Sequence, residues 1–171
     1  ISSHYADFLA GVHIPKFDRK MGGGALMDMN IYNINFCVSL FGQPKQISYL
    51  PTIQRGTDTS GILNLTYDDK QASLIAAKDA VGPTRSYIEG EKGLIYFDGP
   101  LNALPDYYVQ IGKEEPKHYN FNKYDHRMIS EFNYFARKIK EHDQQAADEA
   151  AEHSLNAISV LEKAQEFLPH D

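Results

Sequence analysis

The stretch Met21-Gly22-Gly23-Gly24-Ala25-Leu26-Met27-Asp28-Met29-Asn30-Ile31-Tyr32-Asn33-Ile34-Asn35 constrains this chain more than any other segment. Three glycines run directly into a long apolar segment that reaches Phe41 and then stops at Gly42-Gln43-Pro44, where glycine favours a helix C-terminus and proline cannot continue one. The apolar residues lie nearly all round a helical projection, which predicts a buried helix. Its polar residues are not scattered: Asp28, Tyr32, Asn35 and Ser39 follow at intervals of four, three and four, so a helix stacks them into one stripe. A carboxylate and a phenol on a buried helix need partners, because unpaired burial is costly. Either the stripe belongs to a structural hydrogen-bond network, or it faces a substrate.

The next eighty or so residues read as strands joined by turns. Gln46–Leu50 is a short run before Pro51; Gly61–Tyr67 and Gln71–Ala77 flank Asp68-Asp69-Lys70; Arg85–Glu89 and Gly93–Phe97 flank Gly90-Glu91-Lys92; Tyr107–Ile111 and Lys117–Phe121 form a third pair. Hairpin-joined strands favour an antiparallel sheet with one covered face. Helical spacing returns from Tyr124 to Glu141 and from about Ala147 to Phe167, closed by Pro169. A helix, a strand block and two further helices make an α+β domain, and 171 residues without repeats or linkers suit a single domain over 1–171.

Charge and composition exclude several function classes. A formal net charge of −6 argues against nucleic acid as the main partner, since phosphate binding needs clustered Lys and Arg. No apolar run reaches the ~20 residues of a membrane span. The single cysteine, Cys37, excludes an internal disulfide and falls in the helix pattern, where packing is its role. The chain opens on Ile1-Ser2-Ser3-His4, with no initiator Met and no signal-peptide layout, which suggests a processed or truncated product; a reduced, cytoplasmic location follows, and the Asn64-Leu65-Thr66 sequon then carries no meaning.

Among candidate sites, Gly22-Gly23-Gly24 could cradle a phosphate at a helix N-terminus. It fails the dinucleotide fingerprint, which needs glycine where Met27 stands, and tight backbone packing is the plainer explanation. Gly90-Glu91-Lys92-Gly93 lacks the phosphate-loop spacing and reads as a turn. The seven histidines show no metal-ligand spacing, and no G-x-S-x-G marks a serine hydrolase. Lys78-Asp79 ends a strand ahead of Gly82-Pro83, either at a cleft or as a surface ion pair. Arg19-Lys20, just before the glycines, could reach an oxygen-rich ligand or form a solvated turn. Asp28 and Tyr32 remain the best pair for proton transfer or for holding a hydroxyl.

The segment from Gly22 to Asn35, followed by Leu40-Phe41-Gly42-Gln43-Pro44, resembles the G-G-G-A-L-x-D-x-x-x-[HY]-x-I-[ND] … L-F-G-x-P stretch of Gfo/Idh/MocA oxidoreductases, a family that includes glucose–fructose oxidoreductase and inositol dehydrogenase. Ile88–Ile95 resembles that family's I-x-G-x-x-G-x-I strand pair, and Glu152–Glu162 its closing helix. Order and spacing hold from about residue 22 to 167. The resemblance implies the C-terminal, substrate-binding and oligomerisation domain: an open, mainly antiparallel sheet with helices on one face, like the C-terminal domain of glyceraldehyde-3-phosphate dehydrogenase. It implies a partner N-terminal Rossmann domain, absent from this chain, that binds NAD or NADP and carries a catalytic lysine in an E-K-P motif. By the same analogy Asp28 contacts substrate hydroxyls and the catalytic lysine, Tyr32 gives or takes a proton at the oxidised carbon, and Asn35 orients a sugar, inositol or other polyol-like substrate; Arg19 and Lys78, from their places before the glycines and at a strand end, are further candidate substrate contacts. The chain alone is then expected to be inactive. The alternative is a non-catalytic dimerisation or small-ligand-binding module derived from the family. In either case the strands of Tyr67, Leu74, Tyr87, Tyr96 and Tyr107 are expected to give an open apolar face that pairs two copies into a homodimer.

Overall fold

A computed structural model describes residues 3–104 and 106–169; Ile1, Ser2, Pro105, His170 and Asp171 lie outside the described residues. By its internal contacts the chain, expected to form one domain, divides into two compact units, residues 1–81 with 150–171 and residues 82–149. The division coincides with the Gly82-Pro83 link, across which no strand pairing continues.

In the first unit, helix α1 (Ser3–Leu9) and two single 3-10 turns (Pro15–Phe17 and Arg19–Met21) precede the glycines. A π-helical turn, Leu26–Asn30, then feeds α2 (Ile31–Phe41). Three antiparallel strands follow in spatial order, β1 (Gln46–Gln54), β2 (Thr57–Thr66) and β3 (Gln71–Ala77). Strand β1 runs straight through Pro51, where the sequence suggested a stop. It is an edge strand, so a proline without an N–H leaves no ladder bond unmade on its outer side. The core joins Leu26, Ile34, Cys37 and Val38 of the helical segment to Tyr49, Leu63, Leu65 and Leu74 of the sheet. Ala157, Val160, Leu161 and Ala164 of α4 (Gln144–Gln165) close it. Gln43 Nε2 donates to Asn156 O at 2.6 Å, tying the turn after α2 to α4.

The register of the sheet decides which residues are covered. Tyr49, Leu63 and Leu74 are paired across the three strands and face the helices. Leu74 is therefore core and Tyr67 packs against the core, so the open face of this sheet is carried by other residues of the strands. The adjacent row, Leu50, Ile62 and Ile75, is exposed on the opposite face, between Ser48–Asn64–Ser73 on one side and Thr52–Ser60 on the other.

The helical segment is also less buried than its composition suggests. Ala25, Leu26, Asn30, Ile34, Cys37 and Val38 are covered, whereas Met27, Met29, Tyr32 and Leu40 are exposed along with Asp28, Asn35 and Ser39. The sheet and α4 cover one side only, so the polar stripe shares an open side with several apolar neighbours.

In the second unit, β4 (Arg85–Gly90), β5 (Gly93–Asp98), β6 (Tyr107–Ile111) and β7 (Lys117–Tyr119) form an antiparallel sheet in sequence order. Tyr87, Tyr96, Tyr108 and His118 are successive cross-strand partners and their rings make one row, with Tyr96 and Tyr108 stacked at 4.8 Å. Helix α3 (Arg127–Lys140) is amphipathic and leaves Phe132, Phe135 and Ile139 exposed.

Candidate active site

The three glycines are required by the backbone around them. Gly22 ends the second 3-10 turn in the left-handed region at φ 76°. A Cβ on Gly23 would stand 2.7 Å from Pro15 O and Lys16 C. Gly24 has φ 113°, and a Cβ there would collide with the carboxylate of Asp58. The turn is no phosphate cradle, because its amides are already used: Gly22 N donates to Arg19 O, Gly23 N to Asp18 O, Gly24 N to Lys16 O, and Leu26 N to Asp58 Oδ2 at 2.7 Å.

Asp58, which sequence reading did not single out, is the anchor of this region. It is 1% exposed, accepts from Leu26 N and from the Tyr49 hydroxyl at 2.9 Å, and places a carboxylate at the start of the helical segment. Burial, the neighbouring Asp58 charge and the hydrogen bond to it push the Tyr49 phenol far above its ordinary value. A bulge creates this geometry. Thr52 pairs with Ser60 and Ile53 with Asp58, so Thr59 is the extra residue, and Thr57, Asp58 and Thr59 are all buried. Each reaches a different segment: Thr57 Oγ1 donates to Phe17 O at 2.6 Å, Asp58 caps the helical segment, and Thr59 Oγ1 donates to Asp79 Oδ2 at 2.7 Å. An isolated Thr-Asp-Thr run carries no sequence signal for this; only the bulge reveals it.

The same bulge positions Lys78. Its backbone N–H donates to Thr59 O at 2.8 Å, and its side chain, 8% exposed, runs inward. Lys78 Nζ lies 2.6 Å from Asp28 Oδ2 and 2.6 Å from Lys16 O, and 5.1 Å from the centre of the Phe17 ring. Two candidates 50 positions apart in sequence are thus one ion pair. Asp28 is 41% exposed, so the pair opens to solvent on the carboxylate side. Asp79, adjacent to Lys78, instead accepts from Thr59 and Ser60.

Asp28 sits in the π-helical turn, a form of helix frequent at functional sites. Tyr32 follows in α2 with its side chain exposed. Asn35 is held by His153 of α4 through its Oδ1 and the ring Nε2, a pairing across 118 positions that no local pattern signals. Arg19 Nη1 donates to Pro169 O at 2.9 Å. Asn30 and Asn33, on the covered side, donate to Leu74 O and Ile75 O of β3 and fix the segment against the sheet. Burial pushes the Cys37 thiol up to about 11, which fits packing and not nucleophilic chemistry. Among the described residues no cluster of three or more His, Cys, Asp or Glu side chains could hold a metal, and no helix is long and apolar enough to cross a membrane.

The sequence model of the GFO/IDH/MocA C-terminal domain matches residues 1–96, more than half of the chain. The chain belongs to the GFO/IDH/MocA family. Among curated members it is 29% identical over 167 residues to scyllo-inositol 2-dehydrogenase (NADP(+)) IolU of Bacillus subtilis, with 96% of this chain and 50% of that protein covered. It is 26% identical over 147 residues to the uncharacterized oxidoreductase YgjR of Escherichia coli, with 82% of this chain and 43% of that protein covered. The chain therefore spans about half the length of the curated relatives it matches. The 3-ketoreductase KijD10 of Actinomadura kijaniata, solved with TDP-benzene and NADP, shares the fold over 84% of this chain and 46% of its own, at a TM-score of 0.69 and 16% identity. The chain's fold is α+β with antiparallel sheets, the class expected from its sequence.

Proposed function

We propose that this chain is the substrate-binding part of an NAD(P)-dependent oxidoreductase that interconverts a hydroxyl and a carbonyl on a sugar, inositol or related polyol. The observation that carries this reading is the Lys78–Asp28 pair, built by the β2 bulge and opening toward the exposed side of the helical segment that also bears Tyr32. Lys78 occupies Asp28 Oδ2 and leaves Oδ1 to accept from a substrate hydroxyl. Oxidation of an alcohol removes a proton from oxygen and a hydride from carbon. Tyr32 is assigned the proton, and the nicotinamide supplies the hydride exchange when bound. Because the glycine-turn amides are engaged within the fold, the dinucleotide phosphates are assigned to a nucleotide-binding domain elsewhere in a longer protein. Asn35, fixed by His153, is assigned to orient the substrate, and the Leu50–Ile62–Ile75 row to pair two copies of the chain.

The test is a panel of inositols and aldoses with NAD+ and NADP+, followed by reduced-nicotinamide absorbance, on this domain joined to its nucleotide-binding partner. At least one polyol is expected to turn over. Tyr32→Phe is expected to lower kcat on the order of 10²–10⁴-fold, and Asp28→Asn to raise KM as well. Because Tyr32 is exposed, its loss of hydroxyl should leave stability within about 0.5 kcal/mol. The 171 residues alone are expected to show no turnover. Wild-type rates in both variants would overturn the assignment, and polyol binding without any turnover would favour the non-catalytic module.

A further inference from the structure

A second cluster of charge lies beside the Asp28–Lys78 pair. A cleft of about 360 Å³ in the first unit is lined by α1 and the following loop, the 3-10 turns and the β1–β2 hairpin tip. Its charged lining is Arg19, Lys20 and Arg55, with His13 and a single carboxylate, Asp18. The Arg19 guanidinium is engaged, donating to Pro169 O, so the cations that matter here are Lys20 and Arg55, set in a chain of net charge −6. Asp18 is already engaged, its Oδ1 accepting from Lys20 N at 2.9 Å and its Oδ2 lying 3.7 Å from His13 Nδ1.

The hairpin tip aims Arg55 into this space. Arg55 and Gly56 have φ 50° and 77°, the pair of left-handed residues that a two-residue type I′ turn demands. An arginine at the first of them is backbone-disfavoured, so local turn chemistry does not account for it. Its guanidinium carbon lies 5.9 Å from the centre of the Phe8 ring, and a Cβ on Gly11 would stand 3.5 Å from Nη2. An aromatic floor and a glycine wall thus hold a guanidinium that forms no ion pair among the described residues. Phe17 neighbours both this cleft, which it lines, and the candidate active site, where its ring centre lies 5.1 Å from Lys78 Nζ.

We propose that this cleft binds an oxyanion, a phosphate or carboxylate carried by the substrate, through Arg55 and Lys20. The proposal rests on the oxidoreductase reading and names its substrate class: a phosphorylated or acidic polyol in preference to a neutral one. Guanidinium and ammonium donors suit such a group.

The test compares a neutral aldose with its 6-phosphate and its uronate in the protein joined to its nucleotide-binding domain. Arg55→Gly removes the guanidinium while suiting the left-handed backbone better, so a folding defect is not expected. In the Arg55→Gly, Lys20→Ala double variant KM for the anionic substrates is expected to rise roughly ten- to hundredfold, with KM for the neutral aldose unchanged and Arg55→Lys retaining most of the preference. Equal effects on both substrates, or none, would overturn the proposal and leave the oxidoreductase reading intact. A rise in KM for NADP+ alone would reassign the cleft to the cofactor's phosphate and equally overturn it. If no polyol turns over, titration of this chain with a sugar 6-phosphate, read by amide shifts of Gly11 and Gly56, decides the cleft by itself: shifts lost in Arg55→Gly support it, and their absence in the wild type refutes it.

Discussion

Replacing Asp58 by alanine should loosen the whole candidate site, although Asp58 touches no substrate in the proposed mechanism. Its carboxylate is fully enclosed and accepts from Leu26 N and from the Tyr49 hydroxyl. Alanine strands both donors in a space that water does not reach. Each hydrogen bond to a charged group contributes about 1.5–3 kcal/mol, so the loss should come to about 3–6 kcal/mol, a large part of the 5–15 kcal/mol that an ordinary domain possesses. Tyr49→Phe removes one donor together with its hydrogen, leaving the carboxylate its other partner, and should cost about 1.5–3 kcal/mol. In the double variant the Tyr49 hydroxyl is no longer stranded, so its loss should fall short of the sum of the two single losses by 0.5 kcal/mol or more, in the ordinary range of coupling between contacting residues. Urea denaturation followed by far-ultraviolet circular dichroism gives these values, with the midpoint moving and the slope constant. Amide exchange at residues 26–38 should quicken in Asp58→Ala before exchange in β4–β7 does, because the damage lies in the first unit. A midpoint for Asp58→Ala within about 0.5 kcal/mol of wild type, or strictly additive losses, would show that the carboxylate does not anchor the helical segment.

Two further outcomes follow from the same core. Gly61→Ala would drive a Cβ into the Tyr49 ring, which lies over Gly61 to reach Asp58, and should cost about 1–3 kcal/mol by overpacking; pairing it with Tyr49→Ala should relieve most of the strain, and denaturation midpoints of the two variants check this. The Cys37 thiol, raised from 9.0 to about 11 by burial, stays protonated in the folded chain where the unfolded chain has lost its proton. The folded state then binds more protons between those values, so its contribution is complete below pH 9 and falls as pH rises toward about 11, at roughly 1.4 kcal/mol per pH unit. Cys37→Ala should flatten that part of the stability–pH curve, and an unchanged slope would count against the assignment.

Local patterns carried the strands, hairpins and helices, because each follows from residues within one segment. The β2–β3 hairpin around Asp68-Asp69-Lys70 and the β4–β5 hairpin around Gly90-Glu91-Lys92 stand where turn residues and alternation indicated. Composition misled where burial depends on distant elements. The segment from Ala25 to Phe41 reads as apolar all round, yet sheet and α4 cover one side, leaving Met27, Met29 and Tyr32 open. Which residues of a strand stay open is likewise not local: Leu74 is covered and Ile75 exposed, since which parity of a strand faces the helices is set by register against its neighbours and not by the strand alone.

The site divides along the same line. Asp28 and Lys78 were separately visible, one as part of a stripe and the other as a strand-end cation, but their pairing was not. It depends on the unpaired Thr59, which shifts the start of β2 so that three consecutive residues turn inward. That one bulge sends Asp58 to the helical segment, and its extra residue offers Thr59 O to the backbone of Lys78, so the two halves of the ion pair are referenced to adjacent residues of one strand. An error in one is therefore an error in both: deleting Thr59 should misplace Asp58 and Lys78 together. The separation of Asp28 from Lys78 is fixed at a single point in the fold, the arrangement that the proposed role of holding a substrate hydroxyl within tenths of an ångström would require.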